Sequence, residues 1–208
     1  MKAGARALGM AVSTPPGETP TAATVAGALV RADRTFDGLA FSTCTVGATD
    51  YTDSVIHCVE SLDREDVQYL LAAGIAPAWF NVLDLLRVHE SVGRPVLSVS
   101  FEASTGLETA LREQFSGDAL AERLAIYERQ PSRVPVEGMD AWVRAVGVDD
   151  NEAADVVREL TPEGGRRPEP LRVARIAARA GRSLRDDGSS VSRGVGGSHD
   201  DRRDDRET

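Results

Sequence analysis

The segment from Phe36 to Gly74 reads FDGLAFSTCTVGATDYTDSVIHCVESLDREDVQYLLAAG, and its hydrophobic period changes along its length. Larger and smaller side chains alternate over Asp37–Val46, which predicts a strand. Apolar residues then recur at helical spacing through Ser61, and Thr49 stands where a helix N-cap is expected. Val67–Ala73 is a largely apolar run that stops at a glycine, as a buried strand does. Strand, helix and buried strand in this order predict an α/β fold.

Two short apolar runs precede this segment, Ala5–Val12 and Ala22–Val30. Ser13-Thr14-Pro15-Pro16 ends the first run, because neither a strand nor a helix continues through two prolines. Arg31-Ala32-Asp33-Arg34 predicts a hairpin turn after the second. With Asp37–Val46 these runs predict a meander of three sequential strands.

Helices and strands continue to alternate downstream. We predict a helix at Phe80–Val92, a strand at Pro95–Phe101, a long helix at Leu107–Arg129 interrupted at Gly117, an edge strand at Ala141–Val146, and helices at Asn151–Leu160 and Pro170–Arg182. The order β-β-β-α-β-α-β-α with extra C-terminal helices is that of a ribonuclease H-like α/β fold with a mixed sheet. A flavodoxin-like sheet is the alternative, but it does not account for the opening meander.

The chain divides into a domain at residues 1–182 and a tail at residues 183–208. The tail is rich in glycine and serine and ends in the charged run Asp200–Arg206. Almost nothing in it can enter a core, so we predict that it is disordered.

Composition narrows the class of protein. Asp and Glu total 33 against 24 Lys and Arg, for a net charge of −9, and Lys2 is the single lysine. Such a chain is typical of a halophilic cytoplasm, where carboxylates hold water and salt screens their repulsion. Apolar runs are too short for a membrane span or a signal peptide, which also favours the cytoplasm. Cys44 and Cys58 lack metal-ligand spacing and are expected to be buried free thiols.

Residues 164–182 reverse the charge of the chain locally, with six arginines against one acid. Arg172, Arg175, Arg179 and Arg182 recur at helical spacing, so they can form one stripe. An arginine stripe suits the phosphates of a nucleic acid. The alternative is that these arginines pair with the domain's own carboxylates.

Acidic residues are the next candidates. A ribonuclease H-like nuclease holds two divalent metals with carboxylates from its first strand, first helix and fourth strand. Neither Gly9–Ser13 nor Leu70–Gly74 contains one, so Asp50 and Asp53 fill only the first-helix position. The same two acids also suit a helix N-terminus, where the macrodipole favours negative charge.

Residues 74–84 leave a predicted buried strand at its carboxyl end, where the ligand sites of α/β sheets collect. Trp79 stands there beside Phe80, and this aromatic pair either stacks a base or plugs the core. Asn81 and Asp84 are polar neighbours in the same segment. Glu102 ends the next predicted strand and faces the same edge.

Several collinear blocks resemble the archaeal endonuclease dU family, a family long listed as uncharacterised and related to endonuclease V. They are residues 36–41, Val46-Gly47-Ala48-Thr49-Asp50 with Asp53, Trp79-Phe80-Asn81 with Asp84, Phe101-Glu102, and residues 168–175, and the likeness extends from about Gly4 to Arg182. The resemblance implies an endonuclease V-like fold and Mg²⁺- or Mn²⁺-dependent cleavage of DNA near a deaminated base such as deoxyuridine. Two positions depart from the family pattern, Val12 in place of an acid and Ala48 in place of a glycine.

The leading hypothesis is therefore a metal-dependent DNA-repair endonuclease, with DNA, or else RNA, as the partner. The expected residues are Asp50, Asp53 and Asp84 for catalysis, with Asp50 and Asp53 as metal ligands, and Trp79, Asn81, Glu102, Arg172, Arg175 and Arg179 for substrate binding. A catalytically degenerate module that binds nucleic acid or a protein partner is the alternative. A small-molecule enzyme that uses a cleft at Trp79 and Asp84 is a third.

Overall fold

The computed structural model describes residues 4–17 and 21–193, the last seven of them by their helical backbone alone. The strands of this part are β1 (Arg6–Ser13), β2 (Ala22–Arg31), β3 (Phe36–Thr45), β4 (Val67–Ala73), β5 (Val96–Ser100), β6 (Val134–Pro135) and β7 (Trp142–Val146). Its helices are α1 (Tyr51–Leu62), α2 (Pro77–Phe80), α3 (Leu85–Val92), α4 (Glu108–Gln114), α5 (Gly117–Glu128), α6 (Asp150–Leu160) and α7 (Glu169–Arg193).

The strands form one mixed sheet in the order β3-β2-β1-β4-β5-β7-β6. The first three strands make the antiparallel meander, and β1, β4 and β5 run parallel to one another. β7 and β6 then add antiparallel strands on the far side. The predicted ribonuclease H-like fold is confirmed. The strand predicted at the edge forms as β7 but lies one place inside it, since the short β6 pairs with its outer side.

Strand direction brings several chain segments to one edge of the sheet. β1, β4 and β5 are parallel, and β3 regains their direction through two antiparallel steps. These strands end at Ser13, Ala73, Ser100 and Thr45 on the same side, which we call the carboxyl edge. The opposite side, where the same strands begin, is the amino edge.

Helices cover both faces of the sheet, and α7 approaches one face closely. A Cβ on Gly9 would lie 2.2 Å from the carbonyl carbon of Pro170, so only a glycine in β1 lets α7 begin where it does. Farther along the helix, Ala174 packs with Ala11 and Ala28 in a cluster of small buried side chains. This close packing fixes the course of α7 along β1 toward the carboxyl edge.

The predicted helix Phe80–Val92 is wrong over residues 81–84. α2 is a single turn, and α3 begins only at Leu85, where the Asp84 carboxylate accepts the N–H of Arg87 at 3.1 Å as an N-cap. Val82 and Leu83 are both fully buried, although they belong to different clusters. Their apolar side chains therefore continued the helical pattern across a stretch of extended backbone.

Two helix ends also differ from the prediction. α1 has Asp50, not Thr49, at its N-cap position. α7 passes the predicted domain end at Arg182 and runs to Arg193, so the prediction of a disordered tail is corrected for residues 183–193. Near the start of this extension, the Arg185 guanidinium donates a hydrogen bond of 2.9 Å to the carbonyl of Ala22. Residues 194–208 lie outside the described residues, and their disorder stays a prediction.

Candidate nucleic-acid interface

Asp50 and Asn81 join two loops at the carboxyl edge. The buried Asn81 side chain accepts the N–H of Tyr51 at 2.9 Å. Its amide nitrogen donates to the carbonyl of Thr45 at 2.9 Å and to Asp50 Oδ1 at 2.7 Å. Both Asp50 oxygens also lie 3.0 Å from the backbone nitrogen of Thr45. Asn81 thus ties the loop after β3 to the turn after β4.

These contacts set the charge state of Asp50. Burial is the largest single effect and raises the pKa of its carboxyl, but the hydrogen bonds from Asn81 and Thr45 together outweigh it. The pKa of Asp50 is therefore lower than usual, and the group is an anion at neutral pH. Two protein donors, the N–H of Thr45 and the Asn81 amide, contact the carboxylate.

The two other predicted catalytic acids do not join Asp50. Asp53 is exposed, and its Oδ1 lies 2.5 Å from the guanidinium of Arg87. Asp84 is only 2% exposed, pairs with Arg129, and caps α3. These contacts account for the burial of Asp84 without a bound substrate.

Trp79 stands on an unusual turn beside Asp50. Ala78, Trp79 and Phe80 all have left-handed backbone angles, with φ of 48°, 58° and 56°. Each such residue costs about 1–2 kcal/mol, and conformations of this kind persist where the surroundings over-determine them, which is common at functional sites. Gly47 backs the turn, since a Cβ there would lie 3.3 Å from the indole. The Trp79 side chain is 59% exposed, so Trp79 does not plug the core.

The arginine stripe lines a groove at the end of β1. A concavity of about 550 Å³ is bordered on one side by Val12, Ser13, Thr14 and Pro16 and on the other by Arg175, Arg179 and Arg182. Within the described residues, neither Arg175 nor Arg179 forms a salt bridge with a carboxylate. Arg172, by contrast, makes two hydrogen bonds with Glu169, at 2.7 and 2.5 Å. Two of the three arginines predicted to bind substrate are thus available to a ligand.

A second concavity, the β4–β5 cleft, lies farther along the carboxyl edge and has a volume of about 460 Å³. Its walls include Gly74, Ser98, Glu102, Tyr127, Arg133, Trp142 and Arg144. The Arg133 guanidinium lies 4.8 Å from the centroid of the Trp142 ring and donates to Ser100 Oγ at 3.1 Å. Glu102 is exposed at the rim. Polar groups and aromatic faces meet here in a space large enough for a nucleobase.

The carboxylates at the carboxyl edge do not match the divalent metal site that the ribonuclease H-like fold implies. β1 ends in Val12-Ser13 and β4 in Ala73-Gly74, so two of the three expected carboxylate positions are empty. No group of three or more His, Cys, Asp or Glu side chains in the described part of the chain is arranged to hold a metal ion. Asp50, the acid at the first-helix position, already accepts hydrogen bonds from Thr45 and Asn81.

Sequence reasoning missed several residues of this region. Arg123, Tyr127, Arg133, Trp142 and Arg144 come from elements that carried no recognisable motif. Arg123 had one signal, because it interrupts the apolar face that Leu120, Leu124 and Tyr127 form on α5. The role of Arg123 depends on its contacts with Phe80 and Ala48, which lie 40 or more residues away in the sequence.

Both thiols lie in the core, as predicted. Cys44 and Cys58 are free and buried, and burial raises the pKa of each to about 12. Protonated, buried thiols are poor nucleophiles.

None of the described helices is long and apolar enough to cross a membrane.

The fold is ribonuclease H-like, of the endonuclease V type. Residues 3–181 match the model of the endonuclease dU family, and the chain belongs to that family. A UPF0215 protein from Thermococcus kodakarensis is 38% identical over 138 residues, which are 65% of this chain and 69% of the relative.

Solved structures agree on the fold. A protein of unknown function from Archaeoglobus fulgidus superimposes with a TM-score of 0.74 at 23% identity, over 85% of this chain and 97% of that one. Endonuclease V from Ciona intestinalis, in complex with DNA containing an inosine, superimposes with a TM-score of 0.59 at 11% identity, over 86% of each chain.

Proposed function

We propose that this chain acts on nucleic acid at the carboxyl edge, where it binds a DNA strand and recognises a deaminated base such as deoxyuridine. One observation carries the proposal: within the part of the chain that the structure describes, Arg175 and Arg179 have no carboxylate partner, although the net charge of the chain is −9. Acids outnumber bases overall, so unpaired arginines side by side in a groove favour an anionic ligand with several charges.

The groove and the β4–β5 cleft bind different parts of the nucleic acid. Arg175 and Arg179 contact the phosphates, which position a strand without reading its sequence. Trp79 stacks on a base, and Asn81 contributes by holding the Trp79 turn and Asp50. The β4–β5 cleft, with Glu102 at its rim, accepts an extruded base, and a mispaired base is extruded at a lower free-energy cost than a paired one.

Cleavage of the bound strand is a second candidate function. Membership of the endonuclease dU family favours it, and the endonuclease V structure from Ciona intestinalis contains DNA with an inosine. Asp50, Asp53 and Glu102 are the accessible carboxylates at this edge, and they are our candidates for contacts with Mg²⁺ or Mn²⁺. Because the described residues make no metal cluster, no catalytic step is assigned to them.

One experiment separates the two functions. A labelled duplex with a single deoxyuridine or deoxyinosine is incubated with the protein over a range of salt concentrations, with Mg²⁺, Mn²⁺ or EDTA. An undamaged duplex and a matched RNA serve as controls. Lesion-dependent binding in EDTA supports recognition, and metal-dependent nicking at the lesion adds cleavage. Equal affinity for damaged and undamaged duplexes would contradict lesion recognition, and absence of binding at low salt would contradict the whole proposal.

A further inference from the structure

Arg123 is a buried cation without a carboxylate partner. Its side chain is 3% exposed and forms no salt bridge within the described residues. Burial lowers the pKa of its guanidinium, which nevertheless remains charged at neutral pH. A buried charge is unfavourable unless its hydrogen bonds compensate for lost water. A leucine on this apolar helix face would avoid that cost, so the contacts of Arg123 need an explanation.

All the hydrogen bonds of Arg123 go to backbone carbonyls. Nε donates to Phe80 at 3.2 Å, and Nη1 donates to Ala119, in its own helix, at 2.8 Å. Nη2 donates to the carbonyl of Gly47 and, at 3.2 Å, to that of Ala48. The guanidinium thus joins α5 to the loop that leads to Asp50 and to the turn that carries Trp79.

A chain of aromatic contacts connects the same residues. The Arg123 guanidinium lies 4.0 Å from the centroid of the Phe115 ring. Phe115 meets Phe80 edge to face at 6.0 Å between centroids, and Phe80 meets Trp79 in the same way at 5.6 Å. Ring packing therefore supports the left-handed turn at residues 78–80, in addition to the hydrogen bond that Arg123 donates to the carbonyl of Phe80.

We infer that Arg123 is a positioning residue, which holds the Trp79 turn and the loop before Asp50 in the arrangement that meets a nucleic acid. The inference rests on the proposed function for its purpose. The geometry it describes exists without a ligand. Three successive left-handed residues need outside support, and Arg123 supplies a donor to the last of them, Phe80.

The test measures Trp79 without nucleic acid. The chain has two tryptophans, so Trp142→Phe leaves Trp79 as the only one. In that background we compare acrylamide quenching and fluorescence anisotropy for Arg123→Met, Arg123→Lys and the control Arg112→Met, which removes an exposed arginine paired with Glu108. Arg123→Met is expected to increase quenching and lower anisotropy, Arg123→Lys to restore part of both, and Arg112→Met to change neither. A folded Arg123→Met protein with unchanged Trp79 signals would overturn the inference.

A second variant covers the case in which Arg123→Met does not fold. Gly47 has a φ of 77°, and a Cβ there would lie 3.3 Å from the indole of Trp79, so Gly47→Ala disturbs the same junction from the loop side. It is expected to change the Trp79 signals in the same direction. Unchanged Trp79 signals in a folded Gly47→Ala protein would contradict the positioning role.

DNA affinity, measured in the parent background, separates this inference from the proposed function. If Arg123→Met alters the Trp79 signals and also weakens binding about tenfold, a loss of roughly 1.4 kcal/mol, both stand. If the signals change while affinity does not, Arg123 positions the turn but Trp79 does not contact DNA. In that case the positioning of the turn is upheld, and its purpose in DNA binding is refuted.

Discussion

The arginines at the two edges of the sheet differ in whether a carboxylate pairs with them. At the amino edge, Arg6 pairs with Asp37 at 2.6 Å and with Asp66 at 3.2 Å, and Arg64 pairs with Asp66 at 3.0 Å. At the carboxyl edge, Arg175 and Arg179 border a groove without a carboxylate partner in the described part of the chain. The arginines at the first edge are neutralised by carboxylates, whereas Arg175 and Arg179 at the second are open to the ligand that we propose. Pairing, more than the number of arginines, therefore distinguishes the amino edge from the proposed binding groove.

The largest effect is expected from removing the unpaired arginines. Arg175→Gln with Arg179→Gln should lower DNA affinity about a hundredfold at low salt, and the slope of log K against log[salt] should shrink by about 2, because two phosphate contacts are lost. Fluorescence anisotropy titrations at several salt concentrations measure both quantities. Arg112→Gln with Arg158→Gln is the matched control, since it removes the same charge from arginines that pair with Glu108 and Asp155. Equal losses of DNA affinity in the two double variants would show that the net charge of the protein, and not the groove, determines binding.

Asn81→Ala should give the next largest effect, on stability. The substitution removes three hydrogen bonds from a fully buried amide, so the free energy of unfolding should fall by about 2–3 kcal/mol. Urea denaturation followed by circular dichroism measures the change. Ser61→Ala, which removes one hydrogen bond of 3.2 Å within α1, should have a much smaller effect. A loss no greater than that of Ser61→Ala would show that Asn81 does not hold the two loops together.

Trp79→Ala should separate binding from stability. The Trp79 side chain is 59% exposed, so its removal should change the stability of the fold little. Loss of base stacking, by contrast, should weaken DNA binding by about 1–3 kcal/mol. Thermal melts and anisotropy titrations give the two readouts. Phe41→Ala removes an aromatic ring that is 47% exposed on β3 and should leave affinity unchanged. An unchanged affinity in Trp79→Ala would place the bound strand elsewhere.

The smallest effect concerns pH. The pKa of Asp66 is lowered, chiefly by the hydrogen bond from Arg64. A carboxyl group whose pKa is lowered by folding stabilises the protein above its unfolded pKa, about 3.9, and this contribution is lost as pH falls through the folded value. Arg64→Gln should raise the pKa of Asp66 and remove part of this acid-dependent stability, and the change should be small because solvent screens an exposed pair. NMR titration of the carboxyl carbons measures the pKa shift, and DNA affinity should stay at the parent value. A loss of affinity would show that the amino edge also binds.

Asp50 offers the corresponding titration at the carboxyl edge. Asn81→Ala removes one of the donors that lower the pKa of Asp50, so that pKa should rise. The same NMR experiment reports it. A pKa that does not move would mean that the N–H of Thr45 alone keeps Asp50 ionised.

Local pattern predicted the sheet well. β4 begins and ends at the predicted residues, Val67 and Ala73, because a buried parallel strand bounded by polar residues and a glycine leaves little choice of period. The strands of the meander differ from prediction by only one residue at their ends. The match to the family model, over residues 3–181, includes all these strands.

The candidate site was predictable only in part. Asp50, Trp79 and Asn81 were singled out by their place after strands, and they do lie together at one edge. Asp84 was grouped with them by sequence, yet it faces inward to Arg129 because its carboxylate caps α3. Arg172 belonged to the stripe by spacing, but Glu169, one helical turn earlier, engages it.

The sequence by itself determined the α/β order, the local reversal of charge in residues 164–182, and the missing carboxylates at the ends of β1 and β4. These properties depend on residue type and period, which a single chain displays directly. Only the tertiary structure decided which arginines stay unpaired, that residues 78–80 adopt left-handed backbone, and that Arg123 joins their turn to the loop before Asp50. Each depends on contacts between residues distant in sequence, and such contacts exist only after the sheet has brought the ends of its strands to one edge.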